Sequence, residues 1–430
     1  MKTTAIPSAD SGVRRKISEA TARILLFDLS VRGHHPSYIF HLIRYWRTHQ
    51  LLGQLDIVVS PRFLQEHSEV IDWVKRHQLK NVQFTAISAS EAAELNSRKS
   101  RLQRSLRNYK EWMLLCRYAE RLRSTHCLLM FFDTSALPLA FARSAPCLVS
   151  GIYFQPTFHY HLWTSGRRSL KSRLQAWRER WLLERILSRP QVETLFCLDP
   201  FAVDRLHQLN KTHQVVSLAD PVEIADDASD RAWVLHQQLD IDRNRKVFLL
   251  FGSLTERKGI SPLLAAIEQL SDRECQRVCL LLVGESNIEA QIQPRIERIC
   301  KERPIQIVTH YEFVADGDVP AYFELSDIVL APYQQHVGMS GILLLAAAAQ
   351  TPVLSADYGL MGKMVRCYQL GLTVDSTAPE QIAVGLRRCL KAIENGDMSE
   401  LADLSMMRTF ANQNSVEQFA KTIFQRLMPQ

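Results

Sequence analysis

The chain has no long uninterrupted apolar run. Across its 430 residues the longest candidate, Cys127 to Phe154, is broken by Asp133, Pro138, Arg143 and Pro146, so it falls short of the roughly 18 apolar residues that a membrane span needs. The first twenty residues, MKTTAIPSADSGVRRKISEA, lack an apolar core ahead of their charges. That pattern excludes a signal peptide and makes residues 1–21 a flexible leader by expectation. Cysteine pairing signals are missing too. The nine cysteines, at 116, 127, 147, 197, 275, 279, 300, 367 and 389, are odd in number and show no CxxC pair or nearby histidine spacing. Cys127, Cys197 and Cys279 lie inside apolar runs, where cysteine serves as a small hydrophobe. The expected setting is a reducing cytoplasm, without a metal site or disulfide framework.

Acidic residues are scarce in two stretches. From Arg98 to Arg123 nine lysines and arginines face only Glu111 and Glu120, and from Arg167 to Arg189 eight face Glu179 and Glu184. These segments outweigh the whole chain's formal charge of +7, so the rest of the chain is net acidic. The basic surface does not alternate with aromatics along a groove, and no nucleic-acid module is present, so nucleic acid is not an expected partner.

What the chain has is a regular alternation of apolar runs and helical periodicity. Ala22–Ser30, Leu55–Ser60, Val82–Ile87, Cys127–Phe132, Cys147–Phe154 and Thr194–Leu198 read as strands, mostly separated by helical patterns. Asp220–Asp230, DPVEIADDASD, has five acids and no apolar period, which marks a linker. A second series follows at Val247–Gly252, Val278–Gly284, Ile305–His310, Asp327–Tyr333, Pro352–Ala356 and Leu372–Asp375. The expected fold class is α/β, two doubly wound parallel-sheet domains in tandem. Their expected bounds are 22–219 and 231–410, with 220–230 as linker and 411–430 as an amphipathic helix packing back on the first domain.

Two glycine loops stand out. After the run ending at Phe251, Gly252 permits a tight turn, and Ser261-Pro262 reads as the N-cap and first-turn proline of a helix that buries Leu263, Leu264, Ile267 and Leu270. Arg257 and Lys258 lie between, where cations suit a departing diphosphate. The second loop, His336-Val337-Gly338-Met339-Ser340-Gly341, precedes a wholly apolar helix, Ile342–Ala349, whose first amides can meet an anion. A charged surface turn and a packing device remain the alternative readings of these loops.

GSLTERKG, LLLVGE, SDIVLAPY and AAAAQTPVLSADYG together resemble the retaining glycosyltransferases of family 4 (group 1), which have the GT-B fold of two facing Rossmann-like domains. The resemblance covers Arg245 to Asn395 closely. It reaches the first half more loosely, through Gly33, the DPF at Asp199–Phe201 and SLADPVE. It implies a hexosyltransferase-type enzyme with a nucleotide-diphosphate sugar as donor, a hydroxyl acceptor, and no cofactor or metal. By the same resemblance Lys258 contacts the diphosphate, the Val314 backbone meets the base, and Gly338, Met339, Ser340, Gly341 and Ile342 hold phosphates and sugar; Gly252, Ser253 and Arg257 complete the expected donor site. The chain departs from the family at Ser253, where a basic residue is usual, and at Val337 and Leu345, where two glutamates are usual. A variant loop using Ser340 and backbone amides is one reading of this departure. A catalytically silent binding or scaffold subunit is the other.

On the acceptor side, polar residues at carboxyl ends of first-half strands are the expected catalytic set: His35, Asp133 and His159, preferred over His161. Leu102, Leu106, Tyr109, Met113 and Cys116 repeat at helical spacing, as do Leu170, Leu174, Trp177 and Trp181, in both cases on basic helices. Two readings stay open for these stripes. One is attachment to an anionic bilayer through Arg98–Arg123 and Arg167–Arg189, with a lipid or lipid-linked glycan as acceptor at the cytoplasmic face. The other is packing of the stripe on its own domain.

Overall fold

The computed structural model describes residues 21–95, 100–162, 170–209, 214–223 and 228–428. The leader up to residue 20, linker residues 224–227, the starts of both basic segments (98–99 and 167–169) and the side chain of His161 lie outside the described residues.

Thirteen strands form among the described residues. β1 (Arg23–Phe27), β2 (Gln54–Val59), β3 (Val82–Ala86), β4 (His126–Leu129), β5 (Leu148–Tyr153), β6 (Val192–Cys197) and β7 (Val215–Ser217) make a seven-stranded sheet in the order β3-β2-β1-β4-β5-β6-β7. β8 (Lys246–Phe251), β9 (Val278–Val283), β10 (Gln306–His310), β11 (Ile328–Ala331), β12 (Val353–Ala356) and β13 (Gly371–Val374) make a six-stranded sheet in the order β10-β9-β8-β11-β12-β13. β1 pairs in parallel with β2 and β4, and β8 in parallel with β9 and β11. All but β7 overlie the apolar runs read from the sequence. β7 has only three residues at a sheet edge, too short for a periodic signal.

The second sheet shows why the runs are continuous rather than alternating. Val247 and Leu249, with Cys279 and Leu281, pack into one core, whereas Phe248 and Leu250, with Leu280 and Leu282, pack into another. Successive side chains of a strand point to opposite faces, so a strand covered on both sides must be apolar throughout. Helices Ile342–Ala348 and Gly359–Cys367 cover the first face; Ile260–Ile267 and Pro379–Asn395 cover the second.

The chain divides into two compact units. One comprises the described residues up to Gly151 with Pro190–Thr194 and the segment from Lys421; the other comprises Ile152–Arg189 and Leu195–Ala420. The described part of the acidic 220–230 stretch lies in the second unit. Helix Val416–Leu427 buries Phe419, Ile423 and Phe424, and within the first unit Phe424 lies 5.3 Å from the Trp46 ring and 5.7 Å from Tyr45.

His126 of β4 is 4% exposed and shares a 2.9 Å hydrogen bond with Ser150 Oγ. Desolvation pulls its pKa down from 6.5 to about 4, against a smaller opposing effect of the Leu427 backbone. The unfolded chain therefore binds this proton first as pH falls. Stability is full above pH 6.5 and declines between 6.5 and about 4, by up to about 3 kcal/mol. Urea unfolding at pH 7.5 and 4.5 should show this loss, and His126→Asn should flatten it; an unchanged slope in the variant would contradict the assignment.

Candidate functional site

In a doubly wound sheet, ligands meet the crevice at the carboxyl ends of the two strands where the order reverses. Here those strands are β1 and β4 in the first sheet, and β8 and β11 in the second. Both expected donor loops leave the second of these switch points.

The first donor loop leaves β8 at Gly252, whose φ of +97° favours glycine. A side chain there would begin 3.2 Å from Lys258 Nζ, so glycine keeps the approach to the ammonium clear. Glu256–Lys258 forms a 3-10 turn, and Gly259, at φ +75°, is the N-cap of helix Ile260–Ile267. The Ser261-Pro262 cap expected from the sequence is thus displaced: the left-handed glycine starts the helix, and Ser261 and Pro262 fall within its first turn. Leu263, Leu264, Ile267 and Leu270 are buried as expected.

Lys258 is 7% exposed. Its Nζ donates to the Phe251 carbonyl at 2.7 Å and to the Tyr333 hydroxyl, and it lies 4.3 Å from the centre of the Tyr333 ring. Among the described residues no carboxylate forms an ion pair with it. A buried ammonium has three donors and a large desolvation cost, and here its protein partners are neutral.

The second loop, after β11, is fastened to the first. Gln334 N donates to the Arg257 carbonyl at 2.8 Å, and its Nε2 donates to the Pro332 and Ser376 carbonyls. Ser340 Oγ donates to the Tyr333 hydroxyl oxygen at 3.3 Å, which ties the serine to the lysine. Arg257 Nη1 lies 3.1 Å from His336 Nδ1, and His336 Nε2 lies 3.1 Å from the Met339 carbonyl. A guanidinium only donates and a carbonyl only accepts, so this imidazole is neutral with its proton on Nε2. Burial, reinforced by Arg257 and Lys258, holds its pKa below the ordinary value.

Helix Ile342–Ala348 follows Gly341 and ends one residue before the expected bound. Gly338 is buried, Met339 and Ser340 are half-buried, and Gly341 and Ser253 are exposed. Val314 lies in the loop after β10, half-buried against the second unit's core. Val337 and Leu345 also pack on that core, so those two positions are apolar contacts and offer no acid.

The first sheet's switch point holds a different constellation. Asp28, directly after β1, is 4% exposed; its Oδ2 lies 2.6 Å from His35 Nδ1 and its Oδ1 accepts from Ser30 N at 2.9 Å. A carboxylate accepts, so His35 donates from Nδ1 and leaves its other ring nitrogen, Nε2, outside that bond. These two residues line a cavity of about 330 Å³ together with Arg104, Arg107, Glu111 and Ser135. Asp133 lies in the adjacent 3-10 turn Phe132–Thr134, half-buried, and is not among the lining residues. The sequence reading singled out Asp133 and missed Asp28. The signal available for Asp28 was an acid closing an apolar strand seven residues before His35.

His159 belongs to the second unit and is fully buried. Its Nε2 bonds Asp199 Oδ2 at 2.7 Å, while Asp199 Oδ1 accepts from Phe201 N. His159 thus has no exposed surface, and its bond to Asp199 fixes its ring. Its neighbour Tyr160 packs in the second unit's core, with the hydroxyl 3.9 Å from where a Gly338 side chain would begin. Half-buried Glu179 accepts from the hydroxyls of Tyr153 and Thr157 and from Thr157 N, which pins this segment to helix Leu170–Leu187; desolvation raises its pKa. Tyr333, Asp28 and Asp199 are the site partners that the sequence reading did not assign.

Residues 245–392 match the family described as Glycosyl transferases group 1. The putative colanic acid biosynthesis glycosyl transferase WcaI of Escherichia coli (strain K12) is 21% identical over 197 residues, which is 44% of this chain and 46% of that protein. The chain thus matches about half the length of that curated relative. Among solved structures, Anabaena Alr3699/HepE in complex with UDP superposes with a TM-score of 0.64 at 14% identity, covering 94% of this chain and 99% of the other. A glycosyltransferase from Rickettsia africae ESF-5 gives 0.63 at 13% identity, covering 95% and 98%. With two parallel α/β sheets and these likenesses, the chain has the GT-B fold, and its residues 245–392 are similar to the group 1 glycosyl transferases.

Proposed function

We propose that this protein is a retaining glycosyltransferase that moves a hexosyl group from a uridine-diphosphate sugar to a hydroxyl acceptor in polysaccharide or glycolipid assembly, working peripherally at the cytoplasmic membrane face. The observation that carries this reading is Lys258, a buried cation whose bonded partners are all neutral, between the two glycine loops. A diphosphate supplies the missing counter-charge. As the bond to the sugar breaks, negative charge grows on the departing oxygen, and a fixed ammonium stabilises that change more than the ground state. UDP is chosen because the Anabaena neighbour was crystallised with it.

The chain's own residues have separable tasks. Lys258 and the amides of Gly338–Gly341 hold the phosphates; Ser340, tied to Lys258 through Tyr333, takes the place that an acid fills elsewhere in the family. His35, held by Asp28, orients the acceptor without taking its proton. Retention needs no protein nucleophile, because the departing phosphate accepts the acceptor's proton on the same face. The outward stripes support the membrane part: Leu102, Leu106, Leu170 and Leu174 are exposed. Cys116, at the end of the first stripe, is buried, so the exposed part of that stripe is its start. The experiment is cleavage of a panel of UDP-sugars by the wild type and by Lys258→Met, with the anomeric configuration of the product read by NMR. Inversion would overturn the mechanism, and cleavage of no member would overturn the donor.

A further inference from the structure

Helix Leu170–Leu187 and helix Pro200–Leu209, both in the second unit, flank an open cavity of about 600 Å³ far richer in cations than in acids. Arg173, Arg180 and Arg205 line it, against the single carboxylate of Glu184, and Trp177 and Trp181 form its apolar wall. Among the described residues none of the three arginines forms an ion pair. Three guanidiniums around one acid leave a positive surplus that no ion pair among the described residues neutralises.

The same helix carries an apolar stripe continuous with this wall. Leu170 is 83% exposed, Leu174 65%, Trp177 63% and Trp181 43%. Positions 170, 174, 177 and 181 share one helix face, and 173, 177, 180 and 184 run beside them. The two tryptophans therefore belong to both the stripe and the cationic cavity. The opposite face is used up, since Leu182, Leu183, Ile186 and Leu187 are buried.

We propose that this cavity binds the phosphate of an anionic phospholipid, while Leu170, Leu174 and the tryptophans enter the interfacial layer of the bilayer. Arginine forks match phosphate oxygens in a bidentate manner, and tryptophan prefers the headgroup level, where one edge is wet and the body is apolar. An apolar stripe alone would select any membrane, and an arginine cluster alone any phosphate. Their fusion on one helix selects a phosphate at an apolar boundary. Phe158 also lines the cavity, next to His159, so the bound headgroup lies one residue from the Asp199-locked turn. This inference rests on the membrane part of the proposed function and not on its chemistry.

The test is co-sedimentation of the full chain at low salt with phosphatidylglycerol vesicles and with pure phosphatidylcholine vesicles. Wild type is expected on the anionic vesicles only. Arg173→Gln/Arg180→Gln/Arg205→Gln should lower partitioning about 10²-fold, and Trp177→Ala/Trp181→Ala should lower it on the same vesicles. Melting temperature and its UDP-induced shift, measured on each variant, keep misfolding and donor binding separate from the lipid result. Equal binding to both vesicle types, no binding at low salt, or full displacement by millimolar inorganic phosphate would overturn the proposal. Loss of the UDP shift in wild type would instead contradict the donor reading and leave the vesicle result standing.

Discussion

Lys258→Met is expected to lower UDP-sugar cleavage about 10²–10³-fold, the usual effect of removing one preorganised group from a developing negative charge. The loss should fall mainly on kcat, because charge on the diphosphate oxygen grows only as the sugar bond breaks. Methionine preserves most of the side chain's volume while removing the ammonium, and no carboxylate is left behind as an unpaired buried charge. The fold should therefore tolerate the change, with a melting temperature near that of wild type and a weakened UDP-induced shift. A variant that cleaves donor at the wild-type rate would remove Lys258 from the chemistry.

Gly259→Ala is expected to be the more damaging change for the fold. The glycine sits at φ +75°, where a side chain is strained, and a Cβ would stand 2.0 Å from the Pro332 carbonyl oxygen and 3.0 Å from Gln334 Nε2. Neither Pro332 nor the start of the helix can yield easily, because Gln334 bonds back to Arg257 and Ser376. Destabilisation of about 3 kcal/mol or more follows from a backbone clash combined with a disfavoured left-handed conformation, read as a lower urea midpoint. The UDP response should disappear with it, since the same clash separates the two loops. Gly317→Ala, with open space around the added carbon and no positive φ, is the control and should leave the midpoint unchanged. Equal behaviour of the two variants would mean that the loops are not packed as described.

The strands were legible because a parallel sheet covered on both faces requires unbroken apolar runs, and the cores split between Leu249 and Leu250 are the physical form of that signal. The two glycine loops proposed for the donor were legible through Gly252 and Lys258, a left-handed turn followed by a cation. What the sequence hid were relationships across distance. Tyr333 lies 75 positions from the lysine it bonds. Asp28 reads as the end of a strand until His35 is seen at 2.6 Å. The helix Arg101–Arg121 was misleading for a different reason. It has two apolar faces, and the structure buries Trp112, Leu115 and Ala119 while exposing Leu102 and Leu106. Periodicity reports that a face is apolar; it does not report which face meets the core.

The most direct test of a donor site built from two fastened loops is amide hydrogen exchange of the full chain with and without saturating UDP. The account predicts slowed exchange in residues 252–264 and in residues 338–344 together. Protection of one loop alone, protection confined to other segments, or no protection at saturating nucleotide would contradict it.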